Sequence, residues 1–228
     1  MKWLVSDPAM VRKLIVKDWQ VYQKQLAGYV AGMLLALGLI GMGKPWSFSV
    51  GSLLLLVLLV VVGSYAIQSS LLTERKQQTV PFIMSLPVSP MDFYWGKLLA
   101  NLAIYLVPFT LVAGGMAALI LSTPLPDGML VWEMLVATFL FATFCVSLCV
   151  AIALESEGWN VFVMIAMMTL LGPFILWAGR LPGIAEHLRT EDIVWNATAS
   201  LLLAAELLVI AVAILATSWA HARKTSFL

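Results

Sequence analysis

Six long apolar runs separated by short polar bridges organise this chain: residues 26–43, 50–71, 97–121, 131–154, 159–178 and 198–220. A hydrocarbon core of roughly 30 Å takes about 20 apolar residues to cross at 1.5 Å each. Backbone groups in lipid must be satisfied within their own segment, so these runs predict helices. None alternates with the period of two that marks a membrane barrel strand. Composition agrees: 62% of the 228 residues are hydrophobic and 11% charged, where soluble domains carry about 25% charged residues. Mean hydropathy is +0.98. The expected fold is all-α, a polytopic integral membrane protein with six transmembrane helices, formed by one transmembrane domain over 1–228 with no room for a separate soluble unit.

The polar stretch ahead of the first run predicts a helix of its own. Asp7 followed by Pro8 suits an N-cap and a first helical position. Val11, Leu14, Ile15, Trp19, Tyr22 and Leu26 then recur at helical spacing. Arg12, Lys13, Lys17, Gln20, Gln23 and Lys24 fill the other faces. Residues 1–25 thus form an amphipathic N-terminal helix, with two readings open. It lies on the inner leaflet, with Arg12, Lys13, Lys17 and Lys24 at anionic headgroups and Trp19 at the interface; or it packs on the rest of the protein. The charged region is too long, and lacks the cleavage site, for a removable signal peptide.

The bridge Thr73 to Lys97 is the largest polar interruption. Ser89-Pro90-Met91-Asp92 combines a capping serine, a proline at the first helical position and an acid in the first turn, which predicts a helix from Pro90 into the third span. Thr73 to Thr79 extends the second span as a charged stem. Between them, Pro81 and Pro87 bracket the apolar piece Phe82-Ile83-Met84-Ser85-Leu86, and proline disfavours helix just before it. An apolar knob flanked by charge is either a docking element or a segment that dips into the interface.

Placing the N-terminus inside puts ten of the 13 Lys and Arg residues on the cytoplasmic side and leaves Lys44, Arg180 and Arg189 opposite. The positive-inside rule therefore sets both termini in the cytoplasm, with 221–228 as a tail. The net charge of +1 gives no reason to expect nucleic acid. On the outside, 179–197 reads equally as short interfacial helices or as a plain loop. Asn196-Ala-Thr198 matches a glycosylation sequon, too near the membrane to be an expected modification site.

Within the spans, Glu206 is an ionisable group near the middle of the sixth run; such groups are costly and face a cavity or a partner. It lines a translocation path or joins two protomers. Cys145 and Cys149, four apart on one helix face, are poorly placed for a disulfide and read as packing residues, as do Met164, Met167 and Met168, for which a promiscuous lining is the other reading. His187 and His221 fall on opposite sides. No catalytic constellation or metal site is expected. Gly38-Leu39-Ile40-Gly41-Met42-Gly43-Lys44-Pro45 superficially matches a phosphate-binding loop, with proline where Ser or Thr should hold magnesium, at the end of a span rather than between strand and helix.

Six spans, an amphipathic N-terminal helix containing Leu14-Ile15-Val16-Lys17-Asp18, and a second inner loop carrying Glu74, Arg75, Thr79, Ser85, Leu86, Pro87, Val88, Ser89, Gly96 and Lys97 resemble the ABC-2 type transporter permeases. The likeness covers the whole chain in topology and is specific over roughly 74–97. It implies a coupling helix in that loop, with Glu74, Arg75, Thr79, Phe82, Ile83, Leu86, Pro87 and Ser89 docking a separate ABC ATP-binding subunit that supplies ATP and Mg2+; this chain would hold no cofactor. It further implies a second permease copy or paralogue, a multi-pass location in a bacterial inner (plasma) membrane, and export of a hydrophobic or amphipathic peptide, lipid or drug. The alternative from another class is a non-transporting scaffold, immunity or sensor protein that docks a different cytoplasmic partner.

Overall fold

The computed structural model describes residues 8–73, 90–154 and 156–223. All regular structure among them is helical: α1 (Pro8–Gly41), α2 (Pro45–Ile67) continuing into a π turn (Gln68–Leu72), α3 (Pro90–Ser122), α4 (Met129–Ala153), α5 (Glu157–Ala178), the single turn α6 (Pro182–Ala185) and α7 (Ala197–Ala222). Six of these are long and apolar enough to cross a membrane, and the protein is a multi-pass membrane protein. Successive spans run antiparallel, so residues 8, 73, 90 and 223 lie at one end of the bundle.

The amphipathic stretch and the first span are halves of one helix. Helical structure crosses residues 25 and 26 without a break through all 34 residues of α1, because no proline or glycine pair interrupts Lys24-Gln25-Leu26-Ala27. At 1.5 Å per residue α1 is about 51 Å long, well beyond the roughly 30 Å of a hydrocarbon core. One stripe of it is buried along its whole length: Val11, Asp18, Tyr22, Leu26, Met33, Ala36 and Ile40. That stripe packs against α3 and α2, so in the described structure the protein itself covers the apolar face of the N-terminal half. Arg12, Lys13, Lys17 and Lys24 are exposed on the remaining faces and Trp19 is half-buried.

Helix α4 is the centre of the bundle. It packs against α2, α3, α5 and α7 and is the most enclosed span, with 56% of its membrane window buried against 11% for α5 and α7. Its Phe144 stacks on Tyr105 of α3 with ring centroids 4.0 Å apart, and Phe109 and Phe141 extend the aromatic layer. Tyr94 of α3 donates a hydrogen bond to the Ile214 carbonyl of α7 at 3.1 Å. By contrast α5 and α7 present Phe162, Ile165, Leu176, Leu201, Leu208, Leu215 and Trp219 to the surroundings, as spans facing lipid or another chain must.

The long connection between α5 and α7 folds back on the bundle. Ile184 of α6 is buried with Val131, Leu135 and Ala199. Asn196 caps α7, accepting from the Ala199 amide at 2.9 Å while its Nδ2 donates to the Gly183 carbonyl. The sequon asparagine is thus committed to a helix cap. Gly38 to Gly41 are the last turns of α1, which is not a phosphate-binding loop.

Two small residues set helix separations. A Cβ on Gly51 of α2 would fall 2.8 Å from the Ala36 carbonyl oxygen of α1, a backbone atom that cannot step aside. The Gly114-Gly115 pair divides: Gly115 abuts Leu37, and Gly114 faces open space. Gly51→Ala should therefore cost about 1–3 kcal/mol by forcing α1 and α2 apart, whereas Gly114→Ala should be neutral or slightly stabilising. Thermal unfolding of the two variants in one detergent checks this; equal midpoints would contradict the close approach.

Candidate functional site

Four of the polar side chains that the bundle buries near residues 73 and 90 form a connected cluster. Asp18 sits in the middle of the buried stripe of α1, flanked at helical spacing by Val11, Tyr22 and Leu26. Lys97 comes from the second turn of α3. Its Nζ lies 3.0 Å from Asp18 Oδ2, and the residues are 1% and 3% exposed. The second carboxylate oxygen of Asp18 is 3.8 Å from the ammonium of exposed Lys17. One turn further along α3, fully buried Asn101 donates from Nδ2 to the Lys97 carbonyl at 2.8 Å and accepts from Ser70 Oγ at 3.0 Å. Ser70 belongs to the π turn that ends the second span.

Four side chains therefore tie α1, the end of α2 and the start of α3 at the root of the 74–89 connection. Local sequence explains each placement. Gly96 lets α3 approach α1, since a Cβ there would lie 2.8 Å from Leu14. The π turn carries its hydrogen bond from the Thr73 amide back to the Gln68 carbonyl, and Thr73 Oγ1 bonds the same carbonyl at 3.1 Å. Such wide turns recur at functional positions in helices.

The energetics make the cluster a constraint rather than a source of stability. Bringing an ammonium and a carboxylate out of water costs several kcal/mol each, which mutual attraction and added hydrogen bonds roughly repay. Removing one partner strands the other. The cluster thus specifies how the three helices sit, since a displaced helix would leave a buried charge behind.

The residues expected to dock a partner, Glu74, Arg75, Thr79, Phe82, Ile83, Leu86, Pro87 and Ser89, lie outside the described residues, as does the Asp7 cap. Residues from Pro90 onward are helical, and the Ser89 cap lies outside the described residues. Lys97, which sequence alone counts as a loop cation, is instead the buried hub. Arg12, Lys13 and Lys17 share an exposed face of α1 with Ala9, Val16 and Gln20. Glu206 is 6% exposed, on the α7 stripe between Ala199 and Thr217, and neither carboxylate oxygen has a hydrogen-bond partner among the described residues. Met164, Met167 and Met168 line a small void of about 40 Å3 between α2, α4 and α5. Cys145 and Cys149 are buried free thiols.

Sequence reasoning passed over Asp18, Ser70 and Asn101. The signal for Asp18 was present: it occupies an apolar-face position of an amphipathic helix, where a charge demands a partner. No family model, curated protein or solved structure matches the chain.

Asp18→Leu and Lys97→Met should each destabilise the protein by about 3–5 kcal/mol, and the double variant should recover most of that loss. Detergent-resistant folding measured by size-exclusion profile and thermal midpoint checks this. Additive losses in the double variant would mean that the two groups do not act as a pair.

Proposed function

We propose that this chain is the membrane subunit of an ATP-driven exporter of the ABC-2 permease type, energised by a separate ATP-binding subunit that engages residues 74–89. The observation that carries the reading is the buried Asp18–Lys97–Asn101–Ser70 cluster at the root of that connection. A partner that closes on nucleotide needs a stiff element to push. Ser70 just before the connection and Lys97 and Asn101 just after it are bonded to one another and to α1. Force on 74–89 would then move three helices together rather than deform the loop alone.

In this reading both termini and the 73–90 end face the cytoplasm of a bacterial cell, following the distribution of lysine and arginine. The exposed Arg12, Lys13, Lys17 and Lys24 face of α1 meets anionic headgroups. A second copy or a paralogue completes the assembly, for which the exposed apolar faces of α5 and α7 offer surface. The cargo is hydrophobic or amphipathic, and Glu206, a buried carboxylate with no described partner, borders its path or the contact between protomers.

Affinity purification in mild detergent tests the proposal. A stoichiometric ATP-binding subunit should accompany the native chain, and Phe82→Asp with Leu86→Asp should abolish its recovery while membrane insertion persists. Purification of the chain with a cytoplasmic partner that binds no nucleotide would instead support a scaffold, immunity or sensor role. Unchanged recovery of the ATPase by the double variant would remove 82–86 from the docking surface.

A further inference from the structure

At the end of the bundle away from residue 73, α2, α3 and α4 part around a cavity of about 220 Å3, closed on one side by Ile175 of α5. An engineered apolar cavity of about 150 Å3 accommodates benzene, so this one has room for an aromatic molecule of roughly ten to twelve heavy atoms. Its deep end is formed by Leu59 and Leu140, which are almost wholly buried. Nearer the mouth stand Phe48, Ser52, Trp132 and Glu133. Glu133 is four residues from the start of α4 at Met129, about 6 Å along the axis, while Leu140 is about 16 Å along it. The cavity therefore has an acidic outer part and a wholly apolar inner part.

The carboxylate and hydroxyl of this cavity have no partners among the described residues. Glu133 makes no ion pair or hydrogen bond with another described residue. Ser52 Oγ is buried with no hydrogen-bond partner among the described residues, unlike Ser49 and Ser64 of the same helix, which bond the carbonyl four residues back. An anion would be repelled by the carboxylate. A divalent cation would find one carboxylate and one hydroxyl where it requires about six oxygen ligands. A neutral apolar guest would fill the deep end but strip water from an unpaired carboxylate, which is costly. A monocation with an apolar body answers every part of the lining: its charge pairs with Glu133, the aromatic side chains Trp132 and Phe48 stand in the same lining where a cation gains from a ring nearby, and its body fills the space against Leu59 and Leu140.

We propose that this cavity is a binding site for a small lipophilic ammonium, held by Glu133 and Trp132 at its mouth. The proposal stands independently of transport and of any partner subunit.

Equilibrium dialysis of radiolabelled benzyltrimethylammonium against the purified chain in phosphatidylcholine nanodiscs tests it, with empty nanodiscs as background. The expected result is saturable binding near one per chain, weakened about tenfold by Glu133→Gln and unaffected by Glu191→Gln in the exposed loop. Neopentylbenzene, which has the same shape without the charge, should compete poorly; this comparison on the native chain holds even if the Glu133 variant fails to fold. Binding no greater than to empty nanodiscs, equal affinity in Glu133→Gln, or equal competition by neopentylbenzene would each overturn the proposal.

Discussion

The arrangement of the three N-terminal spans depends on one buried ion pair, Lys97 with Asp18. In a bundle whose core is mostly apolar, a pair of opposite charges out of water allows little displacement. It fixes the register of α3 against α1. The carbonyl of Lys97 then orders Asn101, and Asn101 in turn holds Ser70 and the end of the second span. The interaction contributes little net stability, since desolvation offsets most of the attraction. What it supplies is a defined geometry at the point where the chain leaves the membrane for residues 74–89.

The rest of the bundle is held differently. Helix α4 is surrounded by neighbours, and its aromatic layer with α3 interlocks rings at van der Waals distance. Helices α5 and α7 lean on α4 and expose most of their length. In lipid, apolar contact between helices gains little over contact with acyl chains. The hydrogen bond from Tyr94 to the Ile214 carbonyl and the folded-back 179–196 connection are therefore the specific ties that position α7. The protein thus combines a polar-locked group, α1 to α3, with a peripheral pair that packs on α4 and leaves its other faces exposed.

How far the sequence discloses this follows from the physics of each part. The spans are legible because lipid demands long apolar helices. The continuity of α1 is harder to see. A change in composition near residue 25 looks like a boundary, but only a breaker would make it one. Asp18 is marked in the sequence only by its place on the apolar face of α1, beside solvated Lys17, and Lys97 by its place at the edge of an apolar run; which partner each takes is decided by the fold. Asn196 stands out in the sequence only as part of a sequon, and the structure makes it a helix cap. Nothing in the sequence singles out Glu133, because the cavity beside it arises only from the packing of three helices.

The π turn at Gln68–Leu72 bears on how the molecule aims its polar connection. A turn wound this way holds one residue more than an α turn, so everything after it is rotated by about 100° around the helix axis relative to regular winding. The bearing on which the chain departs from the second span is therefore set by a single surplus residue. Two sequences with identical chemistry over 74–89 but differing by one residue in 68–72 would point that segment in directions more than a quarter-turn apart. Spacing, as much as residue type, decides what surface this protein offers at that end.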